Sequence, residues 1–517
     1  MTWLKHMLVA SALVALALVQ LAGCSAPEAS SERVTIDTRL GPVVGVRQEG
    51  VLRFLGLRYA QAPVGDLRFM PPVAAEPWTE PFDATQLGSW CPQTGGLSGI
   101  VGDDSRRMDE DCLVLNVWSP STEGNNRPVL FWIHGGSHYE GSGNDYNGAR
   151  LAAQGEVVVV TINYRLGLLG YAGISGLGDA YRGAESNGYR DQILALEWVR
   201  DNIADYGGDR NNVTIFGESA GGASVLAMLA SPAADALYHK AISHSGVPAT
   251  GRLEDRIPAL AEALGVAPDG LATALRDVPV ERLHEIRDVG MTSGTIDGVV
   301  VTRSTAVAIA ERGQDGVPLI AGFNLDEGTL FSTIVPTSMF GEMTPAIAGF
   351  VLAGGDPTAY LELLDAEHPD DETAHFEQIW YDLFLRGAVG TAQRATETGA
   401  GGWLYRFDMK ATVPFLGSRL GATHAAEIAF TFNTVSEDSV LNLYDGDDPD
   451  VARLAEQWSG TIINFARTGN PNGEGLPEWP RYSSQDRRIL VLNAESRIET
   501  NLLEARVKKL AAVGVPF

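Results

Sequence analysis

The sequence predicts an α/β protein built on a central, mostly parallel twisted sheet flanked by helices. Short apolar runs of strand length recur along the chain, alternating with stretches of helical spacing. That alternation is the pattern of parallel strands joined by crossover helices. No long repeat, low-complexity block or second hydrophobic span interrupts it.

Val129–Ile133 is an apolar strand that ends at His134-Gly135-Gly136. Val157–Ile162 is another, running into Asn163-Tyr164-Arg165. Asp191–Ile203 has helical spacing, with Ile193, Leu194, Leu196, Trp198 and Val199 apolar. Val213–Phe216 is a short strand and Ala220–Leu229 a helix. Pro318–Ala321, Trp403–Phe407 and Ile489–Leu492 are later strands. Residues 251–315 and 340–400 are more helical and pack as excursions around the sheet. The acidic stretch Asp445–Asp450 lacks the full spacing of a calcium loop and reads as a solvated turn.

Hydrophobic residues make up 45% of the 517 positions, enough for a large core. The formal net charge of −27 argues against nucleic acid as a partner, since phosphate binding needs concentrated Lys and Arg. The N-terminus reads as a targeting segment. Met7–Ala22 is an apolar run broken only by Ser11 and Gln20, shorter than most spanning helices and ending in small residues. Leu21-Ala22-Gly23-Cys24 resembles the bacterial lipoprotein processing box, which implies a signal peptide over 1–23, a lipid on Cys24 and a membrane as partner. Residues 24–33 follow as a flexible tether, leaving 34–517 as one domain. Ser25 is compatible with outer-membrane sorting in a two-membrane bacterium. Only Cys91 and Cys112 remain besides Cys24, and an exported chain favours a disulfide between them.

Gly217-Glu218-Ser219-Ala220-Gly221 is the only G-x-S-x-G in the chain. It follows a β-rich run and precedes a helix-compatible one, the strand–turn–helix setting of a nucleophile elbow. Gly217, Gly221 and Gly222 leave room for the sharp turn, and helix entry just after Ser219 sets positive backbone dipole near a developing oxyanion.

Around this motif the chain resembles the type B carboxylesterase family, which also contains the cholinesterases. Phe216–Gly222 is similar to the family's active-serine signature and Glu110-Asp-Cys-Leu-Val-Leu-Asn-Val117 to its second signature, around a disulfide cysteine. Tyr206–Asp209, Gly322–Gly328, Gly421–Glu427 and Phe465–Asn472 resemble further family blocks in the expected order, from about residue 34 to 482. The resemblance implies an α/β-hydrolase fold and hydrolysis of small to medium carboxylic esters through an acyl-enzyme on Ser219. The same machinery serves amides, thioesters and carbamates.

A serine hydroxyl needs a base, and the base an orienting acid. In α/β-hydrolases the chain order is Ser, acid, His. Of nine histidines, His368, His375 and His424 follow a plausible acid downstream of Ser219. His368 and His375 lie in an acidic, helix-like stretch and read as surface residues; His424 lies between small residues and matches the family's histidine block. Chemistry alone leaves Asp326 and Glu327 both open as the acid, and the resemblance implies Glu327. Glu218 reads as a supporting carboxylate and Ser245, in Ser243-His-Ser-Gly246, as a supporting hydrogen-bond partner. With such a base, activity is expected to fall as pH drops through roughly 6 to 7.

His134-Gly135-Gly136-Ser137 resembles the family's oxyanion loop, which implies donors at the N–H groups of Gly136, Ser137 and Ala220. Ser137 stands where the family commonly has a third small residue and His138 where it has an aromatic one. His138 and Phe331 are candidate pocket residues. Cholinesterases bind a quaternary ammonium on an aromatic between the two disulfide cysteines, and residues 92–111 contain no Trp, Tyr or Phe. No metal motif, phosphate loop or other cofactor signature is present, so neither metal nor cofactor is expected.

Overall fold

The computed structural model describes residues 31–94, 106–124, 126–252, 255–437, 441 and 443–517. The segment read as a signal peptide, Cys24 and residues 25–30 of the expected tether therefore lie outside the described residues. The first strand begins at Glu32, two residues before the expected start of the domain at 34.

Strands β1 (Glu32–Thr38), β2 (Gly41–Gln48), β3 (Val51–Arg58), β4 (Phe82–Asp83) and β5 (Val114–Ser119) lead into the sheet. The interior follows: β6 (Arg127–Ile133), β7 (Val158–Ile162), β8 (Gly208–Glu218) and β9 (Lys240–His244). Strands β10 (Gly251–Arg252) and β11 (Thr295–Ile296) pair apart. Strands β12 (Leu319–Asn324), β13 (Gly402–Phe407), β14 (Arg488–Leu492) and β15 (Arg497–Thr500) complete the main sheet. Its order is β1-β2-β3-β5-β7-β6-β8-β9-β12-β13-β14-β15, with β4 beside β2. From β7 to β14 every neighbour runs parallel, whereas β1, β2, β3, β5 and β15 join antiparallel.

A parallel sheet must be covered on both faces, so its strands are continuous apolar runs. Strand β6 illustrates it: Phe131 and Ile133 enter one core cluster, Leu130 and Trp132 the other. Helices Asn187–Asn202, Ala220–Leu229 and Glu372–Glu397 supply the first cluster; Ala149–Gly155 and Pro449–Thr468 supply the second. Arg165, just after β7, forks onto Asp191 at 2.8 and 2.7 Å and ties that strand end to helix Asn187–Asn202. Both side chains are buried, and removing either partner of such a pair costs about 3–5 kcal/mol.

Strand β8 starts five residues before the expected Val213, because polar Gly208–Asn212 extend it beside β6. Pro318 stays outside β12, having no N–H to donate. Among its described residues the 251–315 segment carries helices Ile257–Leu264, Leu271–Asp277, Val280–Glu285, Arg287–Gly290 and Thr305–Arg312 beside the small β10–β11 pair, with turns between them. In the acidic turn, Asp445 and Asp448 accept backbone N–H groups of Asp447 and Asp450, and Asp448 caps helix Pro449–Thr468. Cys91 and Cys112 form a disulfide.

The chain leaves β6 for β7 on one side and later reaches β8 on the other. A crevice opens beyond the carboxyl ends of strands at such a reversal. Ile133 pairs with Gly217 there, which brings the loop after β6 and the turn after β8 side by side.

Candidate active site

Ser219 sits between β8 and helix Ala220–Leu229 with φ 56° and ψ −120°. A non-glycine residue there carries roughly 1–3 kcal/mol of strain. Its N–H donates to the His244 carbonyl at 2.9 Å, and its own carbonyl starts the helix by accepting from Ala223 at 2.8 Å. The neighbours have no room for a side chain: a Cβ on Gly221 would lie 2.0 Å from the Ile133 oxygen, and one on Gly222 2.5 Å from the His244 oxygen.

His424 Nδ1 lies 2.6 Å from Glu327 Oε2. Glu327 is fully buried, and its other oxygen accepts from Ser245 Oγ at 2.6 Å and from the Asn324 N–H at 2.8 Å. With Nδ1 donating to Glu327, Nε2 is the atom left to exchange a proton. Asp326 is used differently. Its N–H donates to the Ala422 carbonyl and its carboxylate accepts from the Ala422 N–H at 2.8 Å, which staples the histidine loop to the turn after β12. The His424 ring is held between Phe384, stacked at 4.6 Å and 18°, and Phe331 at 5.0 Å.

Glu218 Oε1 lies 3.1 Å from His424 Nε2, without the alignment of a hydrogen bond. Glu427 is a third buried carboxylate, held by Asn324 Nδ2 at 2.6 Å. Burial pushes the Glu218 carboxyl up to about 8 and the Glu427 carboxyl up to about 7. Burial alone would lower the His424 pKa, but Glu218, Glu327 and Glu427 outweigh it and raise it to about 9.

The loop after β6 packs directly on the serine, since a Cβ on Gly135 would lie 3.2 Å from Ser219 Cβ. Gly136, Ser137 and His138 take φ values of 95°, 52° and 62° in succession. Among the described residues no acceptor is paired with the N–H groups of Gly136 and Ser137. Ala220 opens its helix, where an N–H has no intrahelical acceptor.

His138 is not a pocket residue. Its ring is buried and packs on Tyr171 at 4.7 Å and edge-on to Tyr189 at 5.5 Å. Its Nε2 lies 3.1 Å from Ser224 Oγ, which in turn donates to the Ala220 carbonyl at 2.9 Å. With the hydroxyl proton spent on that carbonyl, His138 must be the donor. Burial pushes its pKa down to about 3, so the ring is neutral near pH 7. It ties the loop carrying Ser137 to the helix start carrying Ala220.

Gly135, Gly136, Ser137, Glu218, Ser219, Phe331 and His424 line one cavity of about 200 Å³. Leu330, Ile334 and Phe432 give it an apolar wall, and Arg106, paired with Asp145 at 3.3 Å, adds charge to its lining. His368 and His375 lie apart from it, half-buried rather than on the surface, with rings 6.4 Å from each other. Glu427, Asn324 and Phe384 are the participants that sequence reasoning did not single out. Glu427 ends the Gly421–Glu427 block already quoted, the one signal that pointed to it.

Residues 32–347 and 356–510 match the family described as the carboxylesterase family. A para-nitrobenzyl esterase of Bacillus subtilis (strain 168) is 37% identical over 492 residues, covering 92% of this chain and 98% of its own length. Carboxylesterase 1C of Rattus norvegicus is 34% identical over 525 residues, covering 92% of each. Among solved structures, a thermophilic PNB esterase matches with a TM-score of 0.83 at 34% identity, over 92% of this chain and 99% of that one. A carboxylesterase of Geobacillus stearothermophilus matches with a TM-score of 0.79 at 32% identity, over 92% and 100% of the two chains.

Proposed function

The chain belongs to the carboxylesterase family and hydrolyses carboxylic esters, and from that premise we propose how its own residues divide the work. Ser219 Oγ attacks the ester carbonyl while His424 Nε2 takes its proton. Glu327 holds the Nδ1–H tautomer and stabilises the imidazolium. The N–H groups of Gly136, Ser137 and Ala220 receive the developing oxyanion. His424 returns the proton to the departing alcohol, then draws one from water, and the acyl-enzyme is released as the acid.

The observation that carries this reading is the 2.6 Å contact between Glu327 and His424 beside a serine held in a strained elbow on the same cavity wall. Glu218 and Ser245 act as supports, one through charge beside His424 and the other through its bond to Glu327. Phe331 lines the cavity and packs at a tilt against the histidine, so it shapes the space for the acyl or alcohol group. The test is hydrolysis of 4-nitrophenyl acetate, butyrate and octanoate by the parent protein and Ser219→Ala. Turnover that disappears in the variant supports the assignment, and the chain-length ranking sizes the pocket. Turnover that survives rejects Ser219 as the nucleophile.

The N-terminal residues support an exported protein lipid-anchored through Cys24 to a bacterial membrane. Among the described residues no helix is long and apolar enough to cross a membrane. Expression of Cys24→Ser in a bacterium, with fractionation and mass spectrometry of the N-terminal peptide, tests the anchor. A variant that stays in the membrane fraction as the parent does rejects it.

A further inference from the structure

A second cavity, of about 300 Å³, lies between the C-terminal half of helix Glu372–Glu397, helix Thr305–Arg312 and the end of the chain. Pro248, Ile296, Ile309 and Phe517 give it apolar walls, and among the described residues its charged lining groups are the Arg386 and Arg394 side chains and the terminal carboxyl of Phe517. Acidic residues occupy 65 of the 517 positions, yet none of the described Asp or Glu side chains lines this cavity.

Arg386 is 8% exposed. Its Nε donates to the Pro516 carbonyl at 3.1 Å and its Nη1 to the Phe350 carbonyl at 3.0 Å. Those bonds fix the plane of the guanidinium but bring no negative charge. Among the described residues no carboxylate, that of Phe517 included, forms an ion pair with Arg386 or Arg394. Burial with no compensating anion lowers the Arg386 pKa to about 10. Buried charges are ordinarily paired, and a guanidinium presents a planar fork that matches a carboxylate.

We propose that this cavity is a second binding site, separate from the one holding Ser219, that takes a small organic carboxylate with an apolar body. The carboxylate would sit on the free donors of Arg386 with Arg394 adding charge, and the apolar body would lie against Ile296, Ile309 and Phe517. The volume is at the small end for ligand pockets, which suits an acid of about six carbons rather than a long acyl chain. The acids released by ester hydrolysis belong to this class.

The test uses the full-length protein with its active-site serine first blocked by diethyl 4-nitrophenyl phosphate, so that the first cavity is closed. Hexanoate, hexan-1-ol and inorganic phosphate are then titrated by calorimetry. Saturable one-to-one binding of hexanoate is expected, with the alcohol and phosphate each weaker by roughly tenfold or more. Arg394→Gln removes a half-exposed side chain with no ion pair and is expected to keep the fold while weakening hexanoate roughly fivefold. Arg386→Gln is expected to abolish binding. No saturable hexanoate binding, an alcohol that binds as well as the acid, or an unchanged affinity in Arg394→Gln would each overturn the proposal.

Discussion

Glu218 Oε1 stands 3.1 Å from His424 Nε2, on the side of the imidazole that faces away from Glu327. A carboxylate so close favours the protonated ring, and Glu327 and Glu427 act in the same sense. The base works only when neutral. Because the ring keeps its proton up to about 9, kcat/KM is expected to climb from neutrality into the alkaline range. A histidine of ordinary pKa would level off above roughly 7. Replacing Glu218 with Gln removes one negative neighbour, so the limb is expected to move to lower pH by about one unit. A pH profile of kcat/KM for both proteins checks this, and coincident limbs reject the role given to Glu218.

His138 shapes the oxyanion loop from behind. His138→Ala empties a space beside Tyr171 and Tyr189 and strips a donor from Ser224. The expected loss is about 2–4 kcal/mol of stability. With Ser137 less firmly set, kcat should fall roughly tenfold or more while KM changes little. His138→Phe refills the ring volume and should recover most of both. A change confined to KM would instead put the ring in contact with substrate.

Ser245 donates to Glu327 Oε1 at 2.6 Å and has no place in the cavity lining. Ser245→Ala leaves the carboxylate with the Asn324 N–H on that oxygen. A hydrogen bond to a charged group contributes about 1.5–3 kcal/mol, only part of which acts in the transition state. A fall of roughly three- to tenfold in kcat at unchanged KM is expected for 4-nitrophenyl butyrate. Unaltered kcat would show that Glu327 holds its orientation without the serine.

The Cys91–Cys112 bridge closes a loop with a sequence separation of 21. In the chain-entropy model its removal costs about 3 kcal/mol. The double variant Cys91→Ser/Cys112→Ser should unfold at correspondingly lower urea, with kcat unchanged. An unmoved midpoint would mean that the native loop gains nothing from the bridge.

The interior strands were legible because a parallel sheet buried on both faces leaves continuous apolar runs such as Val129–Ile133. The elbow was legible because only glycine fits where Gly221 approaches the Ile133 carbonyl. Other features depend on direction, which spacing does not encode. Asp326 and Glu327 are adjacent carboxylates, and only the turn after β12 decides that one staples Ala422 while the other meets His424. His138 follows the oxyanion loop in sequence, and its positive φ sends the ring into the tyrosine cluster instead of the cavity. The polar start of β8 was hidden because Asp209–Asn212 carry no apolar signal. The elevated His424 pKa was hidden for a related reason: its neighbours come from positions 218, 327 and 427 and meet only in the fold.

Three glutamates around one histidine also bear on how each cycle ends. Deacylation leaves a carboxylate at the spot where the ester carbonyl stood, and that spot is overlooked by Glu218, with Glu327 and Glu427 behind it. Like charges at such range repel in a medium of low polarity. Above about pH 8, where Glu218 is itself ionised, the departing carboxylate meets a negative neighbour at that spot; below it the Glu218 carboxyl is largely neutral and the protonated His424 ring attracts the product. Release of the acid is therefore expected to ease as pH rises, and inhibition by accumulated acid to weaken in the same direction.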